Sequence, residues 1–291
     1  MSLPKTWELA ELSDQKLLEF CHSPVNKKDI IAEDGGRLVI RISESTVVKY
    51  GSGVTLAEAM TQEFARRSAD ITIIHIPQVY RFVTSGATWS SEERGYIFME
   101  YVPGQSMDNV DLSIHPRLVS RIASAIGHLS QIQGENVPGS IGGRHLNAFM
   151  FGDFSPETRF FSIQDMNGYM NRALAAEGES VDMTSYPLVL CHMDLALRNM
   201  ILHEDNFTIS LIDWEYAGFY PRCFEVSMIS WTIPGDGYFV PRFLEELNAL
   251  APLTDEETRL IRCIARVRDL SRRELMCAEK FRGKLGQLRQ C

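Results

Sequence analysis

No two cysteines of this chain stand at C-x-x-C spacing, and no histidine spacing completes a zinc site. The six thiols, Cys21, Cys191, Cys223, Cys263, Cys277 and Cys291, are scattered, which suits a reducing compartment better than a disulfide framework. Long apolar runs are missing as well. No stretch reaches the ~18 apolar residues of a spanning helix, and "MSLPKTWELAELSDQ" lacks the basic-then-apolar pattern of a signal peptide. Positive charge is scarce: 29 Lys and Arg face 38 Asp and Glu, a net charge of −9. That balance argues against a nucleic-acid binder, which needs a basic face for the backbone, and weakly against an anionic membrane surface. Internal repeats and low-complexity tracts are absent too. The expectation is a soluble, cytoplasmic monomer with no nucleic-acid or membrane partner.

What is present is an ordinary globular balance, 45% hydrophobic and 23% charged over 291 residues, enough to bury a substantial core in one large domain or two small lobes. The first third reads as strands. "RLVIRIS" (37–43) and "TVVKY" (46–50) form a predicted hairpin, and "IPQVYRFV" and "GYIFMEYV" (95–102) a second strand pair around the polar loop "TSGATWSSEER". Between the pairs, "TLAEAMTQEFARRSA" (55–69) predicts a helix capped by Thr55. After the breaker "PGQS" (103–106) helices dominate. In "PRLVSRIASAIGHLSQI" (116–132), Leu118, Ile122, Ala125, Ile126 and Leu129 recur at helical spacing. "SIQDMNGYMNRALAAE" (162–177) is similar, and the last helical stretch places Leu260, Ile261, Ile264 and Val267 on one face. This pattern predicts an α+β protein with a strand-rich lobe, 1–102, and a helix-rich lobe, 103–291.

One segment carries chemistry: "LVLCHMDLALRNMILHEDNFTISLIDWEYAGFYP". Pairing of "NMILH" with "TISLID" places Asn199 and Asp213 at the same end of two strands. Their oxygens are hard ligands that suit Mg²⁺, which takes one or two protein groups and completes its shell with phosphates and water. Asp194, on the entering loop, is placed to accept a proton from a substrate hydroxyl. His192 enters the catalytic set as the brace of that loop. These are the parts of phosphoryl transfer, with "HMDLALRN" and "DWE" standing where protein kinases have H-R-D-L-x-x-x-N and D-F-G. Singly, each residue reads as well as a turn or cap residue; the combination is what points to a site.

Upstream, Lys49 in "TVVKY" holds the place of the lysine in V-A-I-K, which contacts nucleotide phosphates. Glu58 and Glu63 are both candidates to hold it. At ~100° per residue Glu63 falls on the apolar stripe of Leu56, Met60 and Phe64, and Glu58 falls opposite. In "FMEYVPG" the C=O of Glu100 and N–H of Val102 are candidates to read an adenine edge, against the plainer reading of a strand end and a Pro-Gly turn.

Over roughly residues 35–232 the chain resembles the aminoglycoside-phosphotransferase-like branch of the protein-kinase-like superfamily, in the form common in fungal genomes. The resemblance rests on "VVKYGSGVTLAEA", "IPQVY", "FMEYVPG", "IGGRHLNAFMFGDF", the hairpin segment and the Glu225 region. It implies a two-lobed protein-kinase-like fold, a small β-rich N-terminal lobe and a larger helical one, with ATP and Mg²⁺ as cofactors and a small hydroxylated substrate. By position it implies Asp194 as base, Asn199 and Asp213 as metal ligands and Lys49 as the phosphate-binding lysine. Glu58 is its implied partner, against the helical-wheel argument, and Glu100 and Val102 fall at the hinge.

The sequence departs from the family pattern in two places. There is no G-x-G-x-x-G; "EDGGRLVI" offers only Gly35 and Gly36 as a phosphate-covering turn. Met193 stands where many relatives have a small residue, and the expectation is that it narrows the acceptor side. Two rival readings remain open, a non-catalytic binding scaffold and a protein kinase; no A-P-E follows Asp213 to favour the latter. The acceptor is not specified. Residues 103–193 hold nine Asp and Glu against five Arg and no Lys, and residues 214–291 hold eleven acidic against twelve basic. That mild bias in one segment and none in the other does not single out an aminoglycoside, and a biosynthetic metabolite, an alcohol or an amino alcohol fits as well.

Overall fold

The computed structural model describes residues 12–22, 30–86, 93–134, 136–142, 160–232 and 238–288, without the side chains of 230–232 and 272–288. Most of "IGGRHLNAFMFGDF" and the middle of "TSGATWSSEER" lie outside the described residues. The chain forms two compact units, residues 1–111 with 197–215, and residues 112–196 with 216–291.

The first unit opens with helix α1 (Asp14–Cys21), then strands β1 (Ile30–Asp34), β2 (Arg37–Arg41) and β3 (Thr46–Gly51), helix α2 (Leu56–Ser68), and strands β4 (Val79–Thr84) and β5 (Gly95–Glu100). The strands make one antiparallel sheet in the order β1-β2-β3-β5-β4. Gly35 and Gly36, both at positive φ, close the two-residue turn from β1 to β2, as a type I′ hairpin turn requires. Strand alternation then sorts the faces of β3. Val48 and Tyr50 join Ile40, Tyr96 and Phe98 in a core sealed by Leu17 and Cys21 of α1. Lys49 points the other way. It pairs with Ile97, whose side chain packs with Val54 and with Ala59 of α2.

A short strand β6 (Gln105–Ser106) follows. Gly104, at φ +143°, lets this segment lie against the later hairpin, since a Cβ there would stand 2.3 Å from the Leu202 carbonyl oxygen. The second unit supplies α3 (Pro116–Leu129), α4 (Ile163–Leu174) and β7 (Val189–Cys191). The chain returns to the first unit with β8 (Met200–Leu202) and β9 (Ile209–Leu211), a hairpin extended by β6 in the order β6-β8-β9. It ends in the second unit with β10 (Gly218–Tyr220), paired antiparallel to β7, and with α5 (Cys223–Thr232), α6 (Phe239–Leu250) and α7 (Asp255–Leu288). Met166 and Met170 of α4, Tyr220 of β10, Phe224 of α5 and Leu260, Ile264 and Val267 of α7 share one core. The five apolar positions read on α3 are all buried. Cys21, Cys191, Cys223 and Cys263 are buried free thiols. Among the described residues no helix is long and apolar enough to cross a membrane.

Candidate active site

Lys49 is buried at the centre of β3, and its ammonium donates to Glu58 Oε1 and to Asp213 Oδ1, both at 2.7 Å. Glu215 Oε2 lies 4.0 Å away, and Arg37, directly after the Gly35–Gly36 turn, pairs with Glu215 Oε1 at 2.7 Å. Three carboxylates thus face two cations. Burial pulls the lysine toward neutrality, but Glu58, Asp213 and Glu215 outweigh it and raise its pKa. Burial also pushes the Glu58 carboxyl up, with Lys49 pulling against it. Glu215 is pushed up to about 7, by burial first, with Lys49 and Arg37 opposing.

Helix α2 brings Glu58 here with its polar side inward. Thr55 caps the helix by accepting the Glu58 N–H at 3.2 Å. The buried positions are Glu58, Ala59, Thr61, Gln62 and Ala65. Leu56 and Met60 of the apolar stripe are 51% and 40% exposed. Gln62 donates to the Pro77 carbonyl at 2.8 Å. Glu63 turns away and pairs with Arg67 at 2.7 Å. The wheel argument therefore chose the wrong face, because the inward side of α2 is set by specific polar partners and not by hydrophobicity. Glu58 Oε2 is buried without a hydrogen-bond partner.

The hairpin places the next two candidates. Asn199, buried at the end of a short 3₁₀ turn, accepts the Ile212 N–H on its backbone oxygen at 2.9 Å. That bond fixes Asn199 beside the chain leading into Asp213. Asp213 has φ +63°, and its side chain is 38% exposed. The Trp214 indole is fully buried and donates to the Leu211 carbonyl at 3.0 Å. Two hard oxygen donors at adjacent strand ends, in a pocket with surplus carboxylate, fit a divalent cation that draws its remaining ligands from phosphates and water. Among the described residues no three His, Cys, Asp or Glu side chains form a protein-only metal cage.

Glu100 ends β5. Its carboxylate faces His75 Nε2 at 3.3 Å and accepts the Gln78 N–H at 3.1 Å. The His75 hydrogen bond holds its pKa below the ordinary value, with burial opposing. The side chain is thus engaged locally, and Val102 follows two residues on, half-buried.

In the second unit, the residues after β7 form a tight loop. Glu225, at the start of α5, accepts the backbone N–H of His192 and, at 3.0 Å, that of Met193. Its carboxyl is pushed up to about 7 by burial, against the pull of these two N–H groups and with the Asp194 charge adding to the rise. The Asp194 N–H donates to His192 Nδ1 at 3.3 Å, and the Ala196 N–H to the Asp194 carbonyl at 2.8 Å. His192 is fully buried and Asp194 is 7% exposed. Met193 has φ +67°, a conformation that costs a side-chain-bearing residue ~1–2 kcal/mol. Its side chain enters the core beside Cys191, Tyr220 and Phe224, and burying a methionine returns roughly 1.5–3 kcal/mol. Met193 therefore turns inward as a core residue, contrary to the expectation that it narrows the acceptor side.

The structure brings Lys49, Glu58 and Asp213 into direct contact and sets Asn199 next to them along the hairpin. His192 and Asp194 share one loop. Arg37, Glu215 and the anchoring role of Glu225 escape motif reading. The signal for Arg37 is its position immediately after the paired glycines.

A model of the phosphotransferase enzyme family matches residues 28–260, most of the chain. No curated protein gives a match. Among solved structures, the aminoglycoside phosphotransferase APH(3'')-Id from Streptomyces rimosus is similar at 20% identity, covering 88% of this chain and 98% of that one, with a TM-score of 0.56. A thermostable variant of APH(4)-Ia, in ternary complex with AMP-PNP and hygromycin B, is similar at 15% identity, covering 88% of each chain, with a TM-score of 0.55. A GDP complex of aminoglycoside 2'-phosphotransferase-IIIa is similar at 14% identity, covering 84% of this chain and 82% of that one, with a TM-score of 0.51. The chain belongs to the phosphotransferase enzyme family and has the protein-kinase-like α+β fold of the aminoglycoside phosphotransferases.

Proposed function

We propose that the protein is an ATP- and Mg²⁺-dependent kinase that phosphorylates a hydroxyl group of a small molecule. The observation that carries this reading is the contact of Lys49 with both Glu58 and Asp213. An ammonium held by two carboxylates is fixed in direction and keeps its charge, and its third N–H is available to a phosphate oxygen. Asn199 and Asp213 would hold Mg²⁺, which supplies neutralisation of phosphate charge when bound. Arg37 adds a second cation at the foot of the glycine turn, where the long glycine-rich loop of the kinases is missing. The C=O of Glu100 and N–H of Val102 are assigned to the adenine edge, and a neighbour's complex with AMP-PNP supports an adenine nucleotide.

Asp194 takes the proton of the acceptor hydroxyl. The freed oxygen attacks the γ-phosphorus, and the bond to the β–γ bridging oxygen breaks. His192 holds the Asp194 N–H, and Glu225 holds the two preceding N–H groups, so the base stands on an anchored loop. The acceptor is a small hydroxylated molecule, and the mild acidic bias of one helix-rich segment does not single out a polycation over a metabolite, an alcohol or an amino alcohol. The net charge of −9 supports a protein without a nucleic-acid or anionic-membrane partner, and the free thiols among the described residues support a reducing compartment such as the cytoplasm.

The roles separate by mutation. Asp213→Ala is expected to abolish Mg²⁺-dependent nucleotide binding and turnover together. Asp194→Asn is expected to keep nucleotide affinity while removing turnover, because the base acts on the acceptor. Calorimetry with ATP and Mg²⁺, alongside mass detection of phosphorylated product across a panel of hydroxylated metabolites, reads both. Equal loss of ATP affinity in the two variants would show the assignments to be wrong.

A further inference from the structure

The second unit contains a cavity of about 460 Å³ that none of these roles uses. Five elements wall it: Ile126 comes from α3, Leu190 from β7, Val226 from α5, Leu244 and Leu247 from α6, and Ile261 from α7. The volume lies in the ordinary range of small-molecule sites, roughly 300–1,000 Å³. It is about three times the size of an apolar cavity known to admit benzene.

The polar groups in the wall decide which chemistry fits. Among the described lining residues Arg222 is the only cation, and four of its five N–H donors are engaged. Its guanidinium holds Glu257 at 2.6 and 2.8 Å and reaches the carbonyls of Ala251 and Pro252. Ser130 donates to the Gly127 carbonyl and Thr258 to the Thr254 carbonyl. Asn248 accepts the Leu253 N–H, and Glu245 is paired with Arg242. An anionic ligand would find a cation whose charge is already paired with Glu257, and it would face the Glu225 carboxyl in the wall. The remaining wall is aliphatic apart from the Cys191 thiol. Such a lining favours a neutral, mainly hydrocarbon molecule, whose binding is driven by removal of apolar surface from water.

One wall group reaches further. Glu225 lines the cavity and accepts the N–H groups of His192 and Met193, the two residues before Asp194. A ligand in the cavity displaces whatever solvent reaches that carboxylate, and the change falls on the two bonds that hold the Asp194 loop. We infer that this cavity is a binding site for a neutral apolar small molecule, and that its occupancy is transmitted through Glu225 to the loop carrying Asp194. The consequence for catalysis rests on the proposed role of Asp194; the binding itself does not.

The test uses the full chain without nucleotide, so its outcome is independent of the kinase reading. The probe is 1-octanol, with octanoate as the charged comparison. Titration calorimetry is expected to show one saturable site for octanol, a negative heat-capacity change on binding, and markedly weaker binding of octanoate. Leu247→Trp and Val226→Trp fill the cavity from different helices, and each is expected to weaken octanol binding at least about tenfold, the equivalent of ~1.4 kcal/mol. In the wild-type protein, octanol is expected to move the backbone amide resonances of Leu247 and Ile261, and also those of His192 and Met193. Absence of saturable octanol binding overturns the site. So do octanol binding with no shift at Leu247 and Ile261, and undiminished binding in the folded filled variants. Octanoate binding as tightly as octanol overturns the assigned ligand class. Binding that leaves the His192 and Met193 amides unmoved overturns the coupling.

Discussion

At the scale of single residues, the choice between Glu58 and Glu63 shows what sequence periodicity measures. Hydrophobic phase reports which face of a helix avoids water, and it fails where the buried face is chosen for charge. Glu58 is buried against Lys49 at 2.7 Å, while Glu63 pairs with Arg67, whose side chain is largely exposed. An exposed pair of this kind contributes at most about 1 kcal/mol and no geometry to the site. Glu58→Gln is therefore expected to lower kcat/KM by about tenfold or more, at least ~1.4 kcal/mol of transition-state stabilisation, while Glu63→Gln stays near wild type. Steady-state kinetics with the acceptor identified by product screening reads the difference. The reverse ranking would place the Lys49 partner on the other face of α2. Met193 gives the complementary lesson. Its place before Asp194 is visible in sequence, but the direction of its side chain is not, because positive φ turns it into the core.

At the scale of elements, Thr55 joins local structure to the site. Its hydroxyl caps α2 by accepting the N–H of Glu58, the same residue whose carboxylate holds Lys49. Loss of an N-cap of this type costs ~1 kcal/mol. Thr55→Ala is expected to lower unfolding free energy by about that much, read from urea denaturation, with a smaller effect on kcat/KM than Glu58→Gln, since the carboxylate itself remains. A loss of activity as large as that of Glu58→Gln would mean that the cap alone sets the carboxylate's position. The elements legible in sequence were those with clear periodicity and recognisable ends: the β2–β3 hairpin, α2 with its cap, the β4–β5 pair, α3, α4, the β8–β9 hairpin and α7. Those missed have physical reasons. Strands β7 and β10 are three residues each, too short for alternation to register. Helix α5 begins "CFEVSMI", apolar almost all round, so it shows no amphipathic stripe. Its one acid, Glu225, does not look structural in sequence because its two partners, the N–H groups of His192 and Met193, lie more than thirty residues away.

At the scale of the whole molecule, buried carboxylates set how stability moves with pH. Glu225 is pushed up to about 7 in the folded protein from an ordinary 4.5, chiefly by burial. Between those values the native state holds this proton and the unfolded chain does not. Stability therefore falls as pH rises across the interval: the contribution of Glu225 is fully present below about 4.5 and is lost as pH passes about 7. Glu257 works in the opposite sense. The hydrogen bond from Arg222 lowers its pKa, so its contribution is present above the ordinary value and is lost in acid. Glu215, also raised to about 7, adds to the fall near neutrality, so the wild-type profile alone cannot assign the effect to one residue. Comparison with Glu225→Gln can, because glutamine does not titrate and leaves Glu215 and Glu257 in place. For a fully buried group the difference between 4.5 and about 7 is on the order of 3 kcal/mol. Between about pH 4.5 and about pH 7, the wild-type protein is expected to lose on the order of 3 kcal/mol more unfolding free energy than Glu225→Gln, measured by urea denaturation at intervals across that range. Parallel profiles would show that Glu225 stays ionised throughout, with the His192 and Met193 N–H groups together outweighing the cost of its burial.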